Sequence, residues 1–240
     1  MVLEPWLETH AYLRPVAGLA AAVDRAAAGM DLVHAGVPDW QDYTTDFLGG
    51  VPLLSSDAVA IDLQPCASIA EALLARLLED GTVEEPSPGL MRYLEWTVTA
   101  RYLGPLVHAF AEWRDEDKWL RRYCPTCGSG PAMAQLVGAD PGRKRFLCCG
   151  CCGTRWQFKR TSCPFCDTRS DRLESVIVEG ESGLRIDHCG ACGGYIKTYD
   201  GQGEEALLLA DWSSLHLDLI AHDRGLKRMA ASLYEFDPAR

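Results

Sequence analysis

The sequence predicts an α+β protein with an N-terminal helical domain, two small metal-binding modules in tandem and a C-terminal helix. In residues 1–120 apolar residues recur at helical spacing, and Cys66 is the single cysteine, expected to be a small buried residue. The other ten of the eleven cysteines lie between Cys124 and Cys192, where short runs of strand-forming residues separate them. The expected divisions are 1–120 for the helical domain, 121–160 and 161–202 for the two modules, and 203–240 for the C-terminal helical segment.

The first part of the helical domain contains two predicted helices. Pro15 suits the first turn of a helix that ends near Gly29, because proline has no backbone N–H to leave unpaired at that position. The second candidate covers 39–48. Two glycines and a proline follow it directly and cannot continue a helix.

The second part of the helical domain gives a clearer pattern. Over 68–80 the leucines share one face, and Gly81 follows as a residue able to end the helix in a left-handed conformation. A proline-rich linker is predicted at 84–89. Residues 89–120 are then expected to form one or two helices, with Pro105 starting the second.

Eight of the clustered cysteines form two predicted four-sulfur metal sites. One C-x-x-C pair presents two thiolates from a tight turn, and two such turns about 20 residues apart complete a tetrahedral site. Here the intervening segments have 21 and 22 residues. The predicted ligands are Cys124, Cys127, Cys149 and Cys152 for the first site, and Cys163, Cys166, Cys189 and Cys192 for the second.

The doubled motif C-C-G-C-C leaves a choice of register, because Cys148 and Cys151 have the same spacing as Cys149 and Cys152. A glycine directly after the second cysteine of a pair relieves the turn. Gly153 fills that position for Cys149 and Cys152, so we prefer their register. Interleaved pairing of the four turns stays open, but sequential pairing closes shorter loops and costs less entropy.

The order of turns and strands is repeated, which indicates an internal duplication of one small unit. Each unit is too small to bury a core of its own, so metal binding must provide most of its folding free energy. Helical spacing is expected again over 206–233, with a break at Gly225. The predicted strands are 146–147, 156–158, 175–178, 184–186 and 195–199.

The net charge of −11 is unevenly distributed. Residues 1–120 contain 7 Lys and Arg against 19 Asp and Glu, whereas residues 121–197 contain 12 against 7. A basic excess can indicate nucleic-acid binding. However, two divalent ions held by eight thiolates carry a total charge of about −4, so the basic residues serve as counter-charges to the metal sites. The acidic helical half also opposes phosphate binding, so we expect no nucleic-acid partner.

The expected location is the cytoplasm. The longest unbroken apolar runs have only a handful of residues, whereas a membrane span needs roughly 20. The first ten residues include Glu4 and Glu8 and no basic stretch, unlike a secretory signal. Cysteines spaced for metal binding suit a reducing compartment, where disulfides do not persist.

We expect no enzyme activity and no catalytic residue. A closed four-sulfur site offers no open position to a substrate, and no phosphate loop, nucleophile elbow or H-E-x-x-H motif occurs. Four sulfurs hold iron as readily as zinc, and iron can exchange one electron. A rubredoxin-like one-electron carrier and a nucleic-acid-binding metal ribbon are therefore the two alternative functions.

The ordered motifs resemble the FdhE family of formate dehydrogenase accessory proteins. The resemblance is carried by C-P-T-C-G-S, L-C-C-G-C-C-x3-W, C-P-F-C and H-C-G-A-C-G-G-Y-I-K, with G-G-V-P-L-L upstream and A-D-W-S-S-L-H-L-D-L-I downstream. The family pattern has one C-x-x-C before the tryptophan, and its spacing to Trp156 selects Cys149 and Cys152. Cys148 and Cys151 depart from that pattern, and the N-terminal part is short.

The resemblance implies a helical N-terminal domain followed by two rubredoxin-like modules, with iron as the metal. The cysteine spacing alone fits rubredoxin-like or zinc-ribbon modules with two metal ions, iron or zinc. The resemblance also implies a non-enzymatic, chaperone-like role. The protein would bind the catalytic subunit of respiratory formate dehydrogenase in the cytoplasm and assist its maturation before export. A homodimer is the alternative to a monomeric state.

Overall fold

The computed structural model describes residues 3–30, 33–139, 141–181, 183–200 and 211–230. The fold is α+β, as predicted. The helices are α1 (Leu3–Thr9), α2 (Arg14–Ala28), α3 (Trp40–Gly49), α4 (Gln64–Glu79), α5 (Pro88–Trp113) and α6 (Leu215–Asp223). The strands are β1 (Pro131–Val137), β2 (Lys144–Cys149), β3 (Arg155–Phe158), β4 (Leu173–Ile177), β5 (Leu184–Cys189), β6 (Gly194–Tyr199) and β7 (Lys227–Arg228).

Local sequence explains where the predicted helices begin and end. Helix α3 starts after Asp39, whose carboxylate accepts a hydrogen bond of 2.9 Å from the backbone N–H of Gln41. It ends at Gly50, which takes the left-handed conformation with φ of 84°. Helix α4 starts at Gln64, four residues before the predicted start, because Pro65 fits its first turn.

The prediction of a second helix starting at Pro105 is wrong, because α5 runs unbroken through that residue. A proline inside a helix costs about 3 kcal/mol or more. Buried residues before it, such as Val98, and after it, such as Phe110, belong to the same core, so tertiary packing outweighs this cost. The helix ends at Trp113 and does not extend to residue 120, and it starts at Pro88, inside the predicted linker.

The strands form one sheet in the order β3-β2-β1-β6-β5-β4, with β7 added beside β6. Strands β1–β3 and β4–β6 are two three-stranded antiparallel meanders. They meet where β1 pairs with β6 in parallel, with Met133 opposite Lys197. The first and third strands of a meander run in the same direction. The two meanders have the same orientation in the sheet, so the first strand of one, β1, is parallel to the third strand of the other, β6. The domain limits remain predictions, but both modules share this sheet.

Helices cover both faces of the sheet at its centre. Ala134, Leu147 and Ile196 face the main core, which the helical layer shares. Their chain neighbours Met133, Cys148 and Tyr195 face the second core, which includes Leu217 and Ala221 of α6. Side chains alternate between the faces of a sheet, so adjacent residues enter different cores. Strand β1 was missed because burial on both faces removes the alternation of polar and apolar residues that marks a strand.

The C-terminal prediction is correct in part. Helix α6 ends before Gly225, whose left-handed φ of 71° gives the predicted break. After Gly225, Lys227 donates its backbone N–H to Gly193 O at 2.8 Å and belongs to β7. The prediction of helical structure through residue 233 is therefore wrong over 227–228. The remainder of that prediction, 206–210 and 231–233, lies outside the described residues. Within the described part, no helix is long and apolar enough to cross a membrane.

Candidate metal centres

The four cysteines predicted for the first site meet in the structure, with all four sulfurs within 4.8 Å of one another. We call them the first cluster. Cys124 Sγ lies 3.6 Å from Cys152 Sγ, and Cys127 Sγ lies 3.4 Å from Cys149 Sγ. With metal–sulfur bonds of about 2.3 Å, the sulfurs of a tetrahedral site are about 3.8 Å apart. The first cluster therefore fits a metal after opening by a few tenths of an ångström.

The four cysteines predicted for the second site form the second cluster. Cys163 Sγ lies 3.8 Å from Cys192 Sγ, and Cys166 Sγ lies 3.8 Å from Cys189 Sγ. These separations match the edge of a tetrahedral four-sulfur site. In each meander, one turn precedes the first strand and the other joins the second and third strands. The two clusters can hold two metal ions, and ligation by these eight residues remains a prediction.

The backbone of the turns suits thiolate ligands. The residue after each pair, at 128, 153, 167 and 193, has a positive φ between 59° and 76°, and three of the four are glycines. In each pair, the sulfur of one cysteine accepts a hydrogen bond of 3.4 Å from the backbone N–H of the residue two positions after that cysteine. Hydrogen bonds to sulfur favour the charged thiolate that binds a metal.

The alternation along β2 gives a physical reason for the cysteine register. Cys149 faces the main core, where the first cluster lies, and Cys148 faces the second core on the opposite side of the sheet. Gly153 takes the left-handed conformation expected for the preferred register. Cys151 lies half-buried beside Cys127, and that contact, together with burial, raises the pKa of its thiol. Cys66 is buried in the main core.

The electrostatics of both clusters call for a cation. Burial raises the pKa of Cys124 well above its usual value and that of Cys163 to about 12. In contrast, the hydroxyl and backbone of Thr168 lower the pKa of the exposed Cys166 to about 6. Four thiolates brought together repel one another unless a metal neutralises part of their charge.

Three threonines that were not predicted from the sequence lie beside the clusters. Thr154 Oγ1 lies 3.1 Å from Cys152 Sγ and 2.7 Å from Thr126 Oγ1, and Thr168 Oγ1 lies 3.2 Å from Cys166 Sγ. Hydroxyls at these positions can donate to thiolates and hold them in place. The signal was present as Cys-x-Thr after two of the four pairs.

The helical layer supports the first cluster through the segment G-G-V-P-L-L at 49–54. The backbone N–H groups of Leu53 and Leu54 each donate at 2.8 Å to the carbonyls of Pro125 and Thr126, inside the first cysteine turn. The hydroxyl of Tyr123 donates to Gly50 O at 2.8 Å. This turn is therefore fixed by main-chain hydrogen bonds to the helical layer.

A buried ionic network connects the second module to α6. Lys197 Nζ lies 2.6 Å from Asp211 Oδ1 and 2.8 Å from Asp218 Oδ2. The hydroxyl of Tyr195 donates to Asp218 Oδ1 at 2.6 Å, and Arg228 pairs with both aspartates at 2.7 Å. The motif G-Y-I-K and the described part of the downstream segment, 211–220, thus meet through ion pairs. Each charge in this network has a partner, and removing one of them would leave a buried charge uncompensated.

Comparisons with known proteins agree with the ordered motifs. The family model described as "FdhE, central domain" matches residues 123–160. The Protein FdhE homolog of Aquifex aeolicus is 29% identical over an alignment of 160 residues, and the match covers 64% of this chain and 54% of that protein. The Protein FdhE homolog of Pectobacterium carotovorum is 29% identical over an alignment of 118 residues, and the match covers 48% of this chain and 38% of that protein. The chain thus spans about half, or less, of the length of these relatives.

A solved structure shows the same fold over most of the chain. The crystal structure of the FdhE protein from Pseudomonas aeruginosa matches with a TM-score of 0.60 and 22% identity, covering 92% of this chain and 88% of that one. Together with the matches of the central domain and of the curated relatives, the cysteine motifs support the resemblance of this chain to the FdhE family.

Proposed function

We propose that this chain is an assembly factor that binds the catalytic subunit of formate dehydrogenase in the cytoplasm and assists its maturation. The observation that carries the proposal is the pair of four-cysteine clusters in one sheet of a chain that resembles the FdhE family. Similarity to the FdhE family supports a role in formate dehydrogenase maturation, and the chemistry of the clusters supports a role in binding a protein partner.

In this proposal each cluster holds one resident metal ion, iron or zinc. A bound ion would neutralise thiolate charge and fix two cysteine turns against each other. All four positions of a tetrahedral ion would be filled by protein sulfur, which leaves none for a substrate. The chain would therefore act by binding a partner and would not turn over formate.

The contact with the catalytic subunit is made, in our proposal, along β4. This strand is the outermost one on its side of the sheet in the part of the chain that the structure describes. Its last residue, Ile177, has 78% of its surface exposed. An outer strand offers unpaired N–H and C=O groups to an extended peptide, and an exposed apolar side chain adds burial on contact.

The test is complementation of a strain that lacks this gene and that depends on formate oxidation. We expect the deletion to abolish respiratory formate oxidation while the dehydrogenase polypeptide is still made. Wild-type protein should restore the activity and co-purify with the catalytic subunit. Two results together would exclude the assembly role: normal formate oxidation in the deletion strain, and no complex trapped when cells that contain the wild-type protein are cross-linked.

Two surface variants test the docking edge separately from the fold. Ile177→Lys should reduce capture of the catalytic subunit, because a charge replaces the exposed apolar side chain at the edge. Val37→Lys, at an apolar residue with 54% exposure in the loop before α3, is the matched control and should bind normally. Equal capture of the catalytic subunit by both variants would show that the contact does not lie along β4.

The metal in the clusters distinguishes an assembly factor from an electron carrier. The two cysteine clusters of the purified protein should contain two ions per chain, and ferric four-sulfur sites are red whereas zinc sites are colourless. If the ions only support the fold, protein loaded with zinc should bind the catalytic subunit as well as protein loaded with iron. Loss of function on zinc loading, together with reversible one-electron reduction of the iron form, would favour the electron-carrier alternative.

A further inference from the structure

Two histidines and a glutamate that the cysteine clusters do not use converge in the structure. His10 follows α1, Glu181 lies in the connection between β4 and β5, and His216 lies in the first turn of α6. Their ligand atoms are all within 4.8 Å of one another. The Nε2 atoms of His10 and His216 lie 2.7 and 2.8 Å from the same oxygen, Glu181 Oε1. Segments this far apart in the chain carry no local motif.

The two ring nitrogens of His10 have contacts that call for a proton or a metal ion between its Nε2 and the Glu181 carboxylate. His10 Nδ1 lies 3.1 Å from the carbonyl oxygen of Trp6, which can only accept a hydrogen bond, so Nδ1 carries a proton. In the neutral ring Nε2 then presents a lone pair to Glu181 Oε1 at 2.7 Å. Two acceptors at that distance repel each other unless a second proton or a metal ion lies between them.

The surroundings favour a metal ion over a proton. The side chains of His10, Glu181 and His216 are only 8, 7 and 14% exposed. Among the described residues, Glu181 Oε2 and both ring nitrogens of His216 are buried without a well-directed hydrogen bond. The two imidazole rings are 4.9 Å apart, so two imidazolium charges would repel each other. One proton can satisfy one of the close contacts, whereas one ion can accept a ligand atom from all three residues.

We propose that His10, Glu181 and His216 bind a divalent transition-metal ion such as Zn²⁺ at a third site, separate from the two cysteine clusters. Two imidazole nitrogens and one carboxylate oxygen suit Zn²⁺ and its neighbours in the first transition series. In tetrahedral coordination with bond lengths of about 2.0–2.2 Å, adjacent ligand atoms are about 3.3–3.6 Å apart, so the two His–Glu181 contacts would have to lengthen by about 0.5–0.9 Å. The Nδ1 bond of His10 to a backbone carbonyl is the kind that orients a metal-binding histidine.

The ion would fasten three distant segments together. Helix α1 and the turn after it pack on a small apolar cluster, and Trp6 of α1 also packs against the second core. The buried members of the small cluster are Leu7, Leu13 and Ala17, with Trp6, Trp212 and Leu215 packed against them. A metal bridge from His10 to Glu181 and His216 would attach the N-terminus to the second module and to α6. Three protein ligands leave at least one coordination position for water or another small ligand.

Cobalt(II) is the probe that separates this site from the cysteine clusters. Cobalt held by thiolates absorbs strongly through sulfur-to-metal charge transfer, whereas cobalt held by nitrogen and oxygen gives only weak d–d bands. Full-length protein with two zinc ions per chain is titrated with Co²⁺ after desalting. We expect a weak d–d band that saturates at one equivalent with no charge-transfer band. The same protein saturated with Zn²⁺ and desalted should contain three ions per chain.

Variants assign the third ion to these residues. His10→Ala, His216→Ala and Glu181→Gln should each remove the d–d band and the third zinc while two zinc ions per chain remain. His222→Ala, on the same helix as His216 but with a side chain 55% exposed, is the control and should keep three. Added Zn²⁺ should raise the melting temperature of the wild type and of the control but not of the three variants.

Several outcomes would overturn the third site. Wild-type protein that binds only two ions and gives no saturable cobalt band contradicts it, and so does a band that survives in all three variants. If a histidine variant fails to fold, Glu181→Gln and the wild-type stoichiometry decide. These readouts do not involve formate dehydrogenase, so failure here is distinct from failure of the proposed function.

Discussion

The two cysteine clusters occupy equivalent places in their meanders but lie in different surroundings. Cys124, Cys149 and Cys152 of the first cluster belong to the main core, near the fully buried Trp119 and Trp156. In the second cluster Cys166 is exposed. The same arrangement of four cysteines is thus supported in two different ways.

The supports differ in their physical nature. The first module is held by apolar packing and by main-chain hydrogen bonds from the segment at 49–54. The second module is held at α6 by the ionic network around Lys197, in addition to the second core. The first cluster lies in the core that its module shares with the N-terminal helices, so loss of its metal should spread into those helices. The second module contacts α6 through the ionic network and the second core, so loss of its metal should stay local.

The largest effect is expected from removing one ligand of each cluster. A structural zinc site contributes an apparent binding free energy of about 10–16 kcal/mol, so Cys124→Ser and Cys189→Ser should each lose one of the two cluster metals. Cys124→Ser should also expose backbone amides of α5, whereas Cys189→Ser should expose mainly β4–β6. Hydrogen exchange read by mass spectrometry checks this difference. Equal exchange in α5 for both variants would show that the clusters have the same support.

Breaking the ionic network should give the next largest effect. Lys197→Met leaves the buried Asp218 and the partly buried Asp211 with fewer partners, and such losses typically cost about 3–5 kcal/mol. Urea unfolding followed by circular dichroism measures the change. Lys227→Met, at an exposed lysine of β7, is the control and should have little effect. A Lys197→Met variant as stable as the control would remove the distinction between the two supports.

The order of metal release is a kinetic test of the same comparison. A chelator reaches the exposed Cys166 more readily than the buried first cluster, so release should occur in two phases with the second cluster first. The change in absorbance of a colorimetric chelator follows both phases. Cys166→Ser should remove the fast phase and keep the slow one. A single phase in the wild type would mean that exposure does not separate the sites.

The smallest effect is expected at the two extra cysteines. Cys148→Ser and Cys151→Ser should each keep two cluster metals by elemental analysis. Cys148→Ser places a hydroxyl in the second core and should cost about 1–3 kcal/mol, whereas Cys151→Ser at a half-buried position should change stability by about 0.5 kcal/mol or less. Loss of a metal from either variant, with Cys149→Ser retaining both, would reverse the cysteine register.

Local patterns in the sequence determined much of the site. The spacing of the C-x-x-C pairs and Gly153 led to the same eight cysteines that the structure brings together, and the spacing to Trp156 in the resembled family agreed with them. Asp39 and Gly50 mark the ends of α3 for a similar reason, since caps and tight turns depend on neighbouring residues. Such features depend on a few adjacent residues and can be read from them.

Only the tertiary structure decided what depends on distant neighbours. Pro105 stays inside α5 because both halves of that helix pack in one core, and β1 has no alternation because helices cover both of its faces. The parallel pairing of β1 with β6 merges the modules into one sheet, and His10 meets Glu181 and His216 across almost the whole chain. These contacts join segments whose separation in sequence carries no periodic signal, so the free energy of packing selects them, and local propensity does not.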